Sequence, residues 1–303
     1  MGLPHLIDEA YLIPAASEGP SKVLSSLKEI VNKTKIDVFI PNDDEEVQLF
    51  SEIQDEIRTL GIELLIPSPE KVFTVSKEGL YTFGKRQGYL VPFTKVFNRW
   101  SEFENNGFDL RYPFVLKGLL CDSYLVDSKE EAKVYFDRIT KIWDPPVIAQ
   151  EFIHGEEYSV VVLANWDNEV IGAVAMKKLG INEKGTTWAG ATVMEPQLLN
   201  LATKIIDDLG WIGPLEIEVI KEENSESFYI IEINPRFPAW TYLATRAGQN
   251  LPLALVNIAR GKRVEKLPPY KSGLMFMRTS SEVVFKVDRL GKLITDLKVE
   301  MKS

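Results

Sequence analysis

The 303-residue chain has one cysteine, Cys121, and two histidines, His5 and His154. A lone cysteine can form no intramolecular disulfide, which fits a reducing compartment, so a cytoplasmic location is the expectation. With no histidine or basic cluster beside it in sequence to lower its pKa, Cys121 reads as a small buried apolar residue rather than a nucleophile. Two histidines put a His-rich zinc site out of reach. There is no GxSxG elbow to present a serine nucleophile. No apolar run approaches the roughly 18 residues of a membrane span, and MGLPHLIDEA at the N-terminus lacks the basic and apolar regions of a signal peptide. A membrane is therefore not expected as a partner. Positive charge is also short: 35 Lys and Arg stand against 44 Asp and Glu, a net −9, with no strongly basic block. That argues against nucleic acid as a partner. Internal repeats and low-complexity segments are absent as well.

What is present is a chain with 45 % hydrophobic residues, able to bury a large core and long enough for two or three domains. Helical periodicity at 23–32 (VLSSLKEIVN), a short apolar strand at 36–41 (IDVFIP), a helix at 45–61 closed by Gly61 and a strand at 62–67 (IELLIP) predict an α/β layer with a parallel sheet. The layer looks incomplete, because such a domain normally opens with a β-strand and helix that are missing here; Met1 is read as standing inside an ancestral domain. Short strands VPFTKVF, FVLKGLL and VIAQEFI then surround a helix at 129–142. From about residue 156 onward strands dominate and pair as hairpins: YSVVVLA with VIGAVAM around NWDNE, and LEIEVI with FYIIEI around KEENSES.

The second hairpin carries charge where a core strand should not. In FYIIEINPRF the strand presents Glu232, Asn234 and Arg236 on alternate positions, and LEIEVI presents Glu216 and Glu218. Side chains two apart share a face, so pairing across KEENSES would bring acidic oxygens together. Carboxylates crowded among isoleucines repel one another and lose hydration, whereas a bound hard cation reverses the sign. Carboxylate and amide oxygens without His or Cys suit Mg²⁺, which commonly arrives with substrate phosphates. For Glu216 the plainer reading is a solvent-facing carboxylate on an edge strand.

IIEINPRF resembles the metal-binding strand of the ATP-grasp superfamily, and is most similar to the ATP-grasp modules of the carbamoyl phosphate synthetase large subunit. Further motifs lie in the same order. GPLEIEV (213–219) resembles the strand with the other metal ligand, Glu218 standing 14 residues before Glu232; AQEFIHGEEYSVVVL (149–163) resembles the adenine and ribose hinge; YPFVLKG (112–118) and SKEGLYTFGKRQGYLVP (76–92) resemble the segments that bear phosphate lysines. The resemblance covers most of residues 36–260. It implies an α/β (α+β) protein: a truncated N-terminal parallel α/β domain (1–75), a linker helix and lid (76–155) and a mostly antiparallel catalytic domain (156–303).

The roles it implies are specific. Lys77 and Lys117 would neutralise ATP phosphates; for Lys117 a solvated strand end is the bland alternative. The backbone of Gln150, Glu151, Phe152 and Ile153 would meet adenine, and Glu157 the ribose. Glu218, Glu232 and Asn234 would hold Mg²⁺, with Mn²⁺ as an alternative, and Arg236 with Lys117 would offset charge on the transferring phosphate. The implied activity is an ATP- and Mg-dependent ligase that activates a small carboxylate or peptide as an acyl phosphate for attack by an amine. Carbamoyl-phosphate-like chemistry on bicarbonate and a non-catalytic ATP-binding module are the alternatives. The last is motivated by a departure: the family's lid follows its lysine with a glycine-rich loop, where this chain has GLLCDSYLV. GLYTFGK (79–85) matches GxxxxGK, but Arg86 replaces the Ser or Thr that would hold Mg²⁺, and the match is set aside as chance. Lys177, Lys178 and Trp188 could serve an acceptor pocket or form an exposed basic hairpin. Trp240 and Tyr242 could line that pocket.

Overall fold

The computed structural model describes residues 8–106, 110–119, 123–182, 187–280 and 298–300. The N-terminal part begins with a short strand, β1 (Glu9–Tyr11), and the helices α1 (Pro20–Lys33), α2 (Asp44–Glu52), α3 (Gln54–Thr59), α4 (Pro69–Val75) and α5 (Leu80–Gln87). Pro20 stands in the first turn of α1, where no intrahelical donor is lost, and Asp43 caps α2 by accepting from the Glu45 amide at 3.0 Å. The single helix expected at 45–61 is broken at Ile53, whose backbone leaves the helical region. The expected parallel sheet is also reduced. Strands 36–41 and 62–67 meet in one parallel bridge, Val38 with Glu63, supported by Phe39 N–H to Glu63 and Glu63 N–H to Asp37, each at 3.0 Å. No further pairs extend that bridge into a ladder. Apolar packing of Ile57, Ile62 and Leu64 against Phe50 carries this part instead.

The lid region follows as β2 (Thr94–Phe97), α6 (Trp100–Asn106), β3 (Phe114–Lys117), β4 (Ser123–Val126), α7 (Lys129–Trp143) and β5 (Val147–Glu151). Its four strands form an antiparallel sheet in the order β2-β5-β3-β4. Alternation divides its faces: Phe114 and Leu116 turn to a core with Phe103, Phe136 and Ile139, while Val115 and Lys117 point the other way. Ser128 caps α7 from its side chain to the Glu131 amide. Cys121 lies outside the described residues, as does the middle of GLLCDSYLV.

A six-stranded antiparallel sheet, in the order β10-β9-β6-β7-β8-β11, forms the remainder. It comprises β6 (Gly155–Ala164), β7 (Val170–Ile181), β8 (Thr187–Thr192), β9 (Gly213–Glu222), β10 (Phe228–Asn234) and β11 (Met275–Met277), with α8 (Pro196–Leu209), α9 (Thr241–Arg246) and α10 (Leu251–Ala259) beside it. A last strand, β12 (Lys298–Glu300), pairs with β1. Both expected hairpins form, and Asn165 shapes the first by accepting from the amides of Asp167 and Glu169. The sequence reading missed α8, which has Pro196 in its first turn, Gly210 at φ 55 after its end, and Leu198, Ala202, Ile205 and Leu209 buried on one stripe.

Gly213 is a tight joint between the N-terminal part and this sheet. Its φ is +86, and a Cβ there would stand 2.4 Å from the Leu65 carbonyl oxygen. Gly213→Ala is therefore expected to destabilise the protein by about 1–3 kcal/mol from backbone strain, with the steric clash added. The shift in urea midpoint measures it; an unchanged midpoint would mean that the joint yields freely.

Candidate active site

The β9–β10 hairpin fixes the acidic cluster by register. Glu218 lies directly across from Glu232, and Glu216 across from Asn234, after a bulge between Ile230 and Glu232. The bulge adds one residue to β10 and so sets which side chains of its end share a face with β9. All four then face the cleft-lining side of the lid sheet. Lys77, Lys117, Gln150, Glu151, Phe152, Ile153, Glu157, Glu218, Glu232, Asn234 and Arg236 all line one cleft of about 720 Å³ between the two sheets.

Glu216 corrects the solvent-facing expectation. Strand β9 is interior, flanked by β6 and β10, and Glu216 is 4 % exposed. Its carboxylate accepts from Ser159 Oγ at 2.7 Å, Trp240 Nε1 at 2.8 Å and Asn234 Nδ2 at 3.1 Å. The Asn234 amide nitrogen also reaches Glu218 at 3.5 Å. With both acids on its nitrogen side, the Asn234 side chain has its Oδ1 turned away from them, able to serve a cation or donor.

Cations surround the acids. Lys178 Nζ donates to Glu218 at 2.6 Å and to Glu157 at 3.0 Å, while Lys77 Nζ lies 3.4 Å from Glu232. Lys117 donates to Gln150 Oε1 at 2.8 Å, and Gln150 in turn donates to Thr94, so the bland reading of Lys117 as a solvated strand end does not describe its position. Burial lowers the pKa of the Lys117 amine, with Glu232 opposing the shift. Burial pushes the Glu218 carboxyl up to about 7 against the pull of Lys178, and the neighbouring Glu216 and Glu232 push in the same direction. Glu232 behaves oppositely: burial would raise it, but Lys77, Lys117 and Lys178 together hold it below the usual carboxylate range. Lys178 is held above the ordinary lysine range, since Glu218 and Glu157 outweigh its burial.

A divalent cation fits this set by donor chemistry. Glu218, Glu232 and the Asn234 oxygen are hard oxygen donors, and two of them are carboxylates already crowded enough to need a positive neighbour. As placed, lysines supply that charge, and among the described residues no group of three Asp, Glu, His or Cys side chains stands ready around one ion position.

Adjacent Lys177 and Lys178 take opposite faces of β7. Lys177 turns outward to Glu156 at 2.6 Å, whereas Lys178 enters the cleft. Trp188 does not line the cleft; its ring covers Gly180, where a Cβ would come within 2.4 Å of it. Trp240 does line the cleft, whereas Tyr242 is 71 % exposed and does not. The hinge backbone is partly committed: Glu151 N–H donates to the Phe93 carbonyl at 2.8 Å, and the Glu151 side chain accepts from Phe93 N–H at 3.1 Å. The sequence reading missed Asp44, which reaches the cleft from the start of α2 and pairs with Arg236. It also missed Arg278, which lines the same cleft just after β11.

The chain is similar in sequence and fold to known proteins. A family model described as "ATP-grasp in the biosynthetic pathway with Ter operon" matches residues 144–281. The chain has an ATP-grasp fold. It is 23 % identical over 275 residues to a carbamoyl-phosphate synthase of Methanobrevibacter smithii, covering 85 % of this chain and 71 % of that protein. Among solved structures, L-amino acid ligase from Bacillus licheniformis superposes with a TM-score of 0.66 at 17 % identity, over 82 % of this chain. Biotin carboxylase from Campylobacter jejuni gives 0.70 at 16 % identity over 83 % of this chain. The biotin carboxylase domain of Hydrogenobacter thermophilus 2-oxoglutarate carboxylase, solved with Mg-ADP and bicarbonate, gives 0.68 at 14 % identity over 81 %. The chain spans 62 %, 60 % and 59 % of these three structures, respectively. Among its described residues no helix is long and apolar enough to cross a membrane.

Proposed function

We propose that this ATP-grasp chain is an ATP- and Mg-dependent ligase that phosphorylates a small carboxylate to an acyl phosphate, which an amine then attacks. The observation that carries this reading is the convergence of Lys77, Lys117, Lys178 and Arg236 on Glu218, Glu232 and Asn234 in one cleft between two sheets. Phosphoryl transfer asks little covalent chemistry of a protein and much positioning and charge neutralisation, and this cleft is built from charged groups held by partners. Glu218, Glu232 and Asn234 would hold Mg²⁺. Held there, Mg²⁺ would supply positive charge against the phosphates.

The remaining roles fall to the chain's own side chains. Lys77 and Lys117, close to Glu232 before nucleotide arrives, would turn to the phosphates. Ile153, Phe152 and Val115 give the cleft an apolar slot for a planar ring at the hinge, and Glu157 would accept from ribose hydroxyls. Arg236 would face the transferring phosphoryl group, and the acceptor end would be bounded by Trp240, Pro238 and Ala239. Phosphorylation of bicarbonate is the second reading, favoured by the carbamoyl-phosphate synthase relative and by the bicarbonate in the 2-oxoglutarate carboxylase structure.

The test is capture of the intermediate. An acyl phosphate is an electrophile, so hydroxylamine in the presence of Mg·ATP and a cognate acid is expected to give a hydroxamate in an amount that depends on both. ADP release without acid is expected to be slow, because an empty acceptor end leaves the γ-phosphoryl group without a nucleophile in line. An acid that stimulates ADP release without hydroxamate would transfer the assignment to bicarbonate-type chemistry. Tight Mg·ATP binding with no stimulation across a broad panel of acids would favour a binding module, with the glycine-poor GLLCDSYLV as the reason.

A further inference from the structure

Arg236 is held by a residue from the far end of the chain. Its Nε lies 2.8 Å from Asp44 Oδ1, and its Nη2 donates to Asp44 Oδ2 at 3.2 Å, across a sequence separation of 192 residues. The third nitrogen, Nη1, stands 3.7 Å from Glu216 and 3.5 Å from the Phe237 carbonyl. The Nε–H is not well aligned with Oδ1, so that arm is held chiefly by charge. Two-point contact between a planar fork and a carboxylate fixes the plane of the guanidinium as well as its position.

Both ends of this pair are themselves fixed. Arg236 follows Asn234 in a tight turn closed by its own N–H to the Asn234 carbonyl at 2.8 Å. Asp44 opens α2 directly after the capping residue Asp43, and α2 is anchored by the buried Val47, Leu49 and Phe50. A helix of the N-terminal core thus reaches to one side chain of the cleft, and it does so at the group assigned above to the transferring phosphoryl group.

We propose that Asp44 is a positioning residue that orients Arg236 for phosphoryl transfer and makes the N-terminal part of the chain a working component of the site. Asp44 touches neither nucleotide nor acid in this scheme; it acts through Arg236. The proposal rests on the ligase reading, and its test separates the two. The probes are Mg·ADP alone and Mg·ADP with aluminium fluoride, a mimic of the phosphoryl group in flight, so no cognate acid has to be known.

In the wild-type protein, fluoride-dependent tightening of Mg·ADP is expected, and Arg236→Ala is expected to remove roughly 10²-fold of it. Asp44→Ala is expected to remove about 10-fold, Asp44→Asn less, and Asp44→Glu to recover part of the loss. Mg·ADP affinity without fluoride should be the same in the wild type and the three Asp44 variants, which a general folding defect would not allow. Adding Asp44→Ala to Arg236→Ala should cost nothing further, because a residue that works through Arg236 has nothing left to orient. If Arg236→Ala weakens capture and Asp44→Ala does not, the ligase reading stands and the positioning role is overturned. Tighter capture in Asp44→Ala would also overturn it, making Asp44 a restraint on Arg236 instead. If fluoride has no effect on the wild type, or Arg236→Ala leaves the effect intact, the role of Arg236 fails and the proposal falls with it.

Discussion

Glu232→Gln is expected to lower acid-stimulated ADP formation by on the order of 10²–10³-fold while the protein remains folded. The substitution keeps shape and removes one negative charge from the point where Lys77, Lys117 and Lys178 converge. A carboxamide offers a hard divalent cation a neutral oxygen in place of a charged one, so Mg²⁺ would lose one of its two carboxylates. Stability should suffer far less, by about 1 kcal/mol. Lys178 keeps Glu157 and Glu218, Lys77 keeps the Gly118 carbonyl at 3.4 Å, and Lys117 keeps Gln150. Initial rates of ADP formation measured beside urea unfolding curves separate the two effects. Wild-type rates in a folded Glu232→Gln protein would remove Glu232 from the metal site.

The hairpin that bears this residue was readable because strand alternation and the turn KEENSES are local properties. Alternation put Glu216 with Glu218 and Glu232 with Asn234, and the structure pairs the two sets. The bulge at Ile230–Glu232 was not readable, since a bulge depends on which neighbour a strand meets. The same limit explains Glu216. A glutamate on an edge strand and one on an interior strand look alike until β6 is known to lie on the other side of β9. Asp44 sits in the acidic run DDEE at the start of α2, where carboxylates are common because they suit the helix dipole. Its contact with Arg236 depends on how the N-terminal part packs on the sheet, and no window of sequence carries that. The parallel sheet was overread for a related reason: the apolar run at 62–67 is buried, but burial in a small core does not require a ladder. By contrast α8 was legible in its 3.6-residue apolar stripe and its proline and glycine ends, and was overlooked among strong strand signals.

Removal of Glu216 is expected to have the largest effect on stability. Its carboxylate satisfies Ser159 Oγ, Trp240 Nε1 and Asn234 Nδ2 and stands near Arg236, at a position almost closed to water. Glu216→Ala leaves those donors without an acceptor and opens a hole among them. Breaking a buried charged network from one side costs about 3–5 kcal/mol, a large fraction of the roughly 5–15 kcal/mol that holds a typical domain together. Glu216→Gln should cost less, about 1–3 kcal/mol. One oxygen remains for Ser159 and Trp240, but the new amide hydrogens face the Asn234 nitrogen, another donor. The order wild type, Gln, Ala in urea midpoint, at constant slope, is therefore the expected result. Function should follow by a different route from Glu232→Gln. Without its nearer acceptor the Asn234 amide keeps only the 3.5 Å contact to Glu218, so its oxygen is presented less firmly to the cleft, and Mg·ATP affinity should fall in the variant that remains folded. Equal midpoints for all three proteins would mean that water replaces the carboxylate without loss, and Glu216 would then be a bystander beside the site instead of the anchor of Asn234 and Trp240.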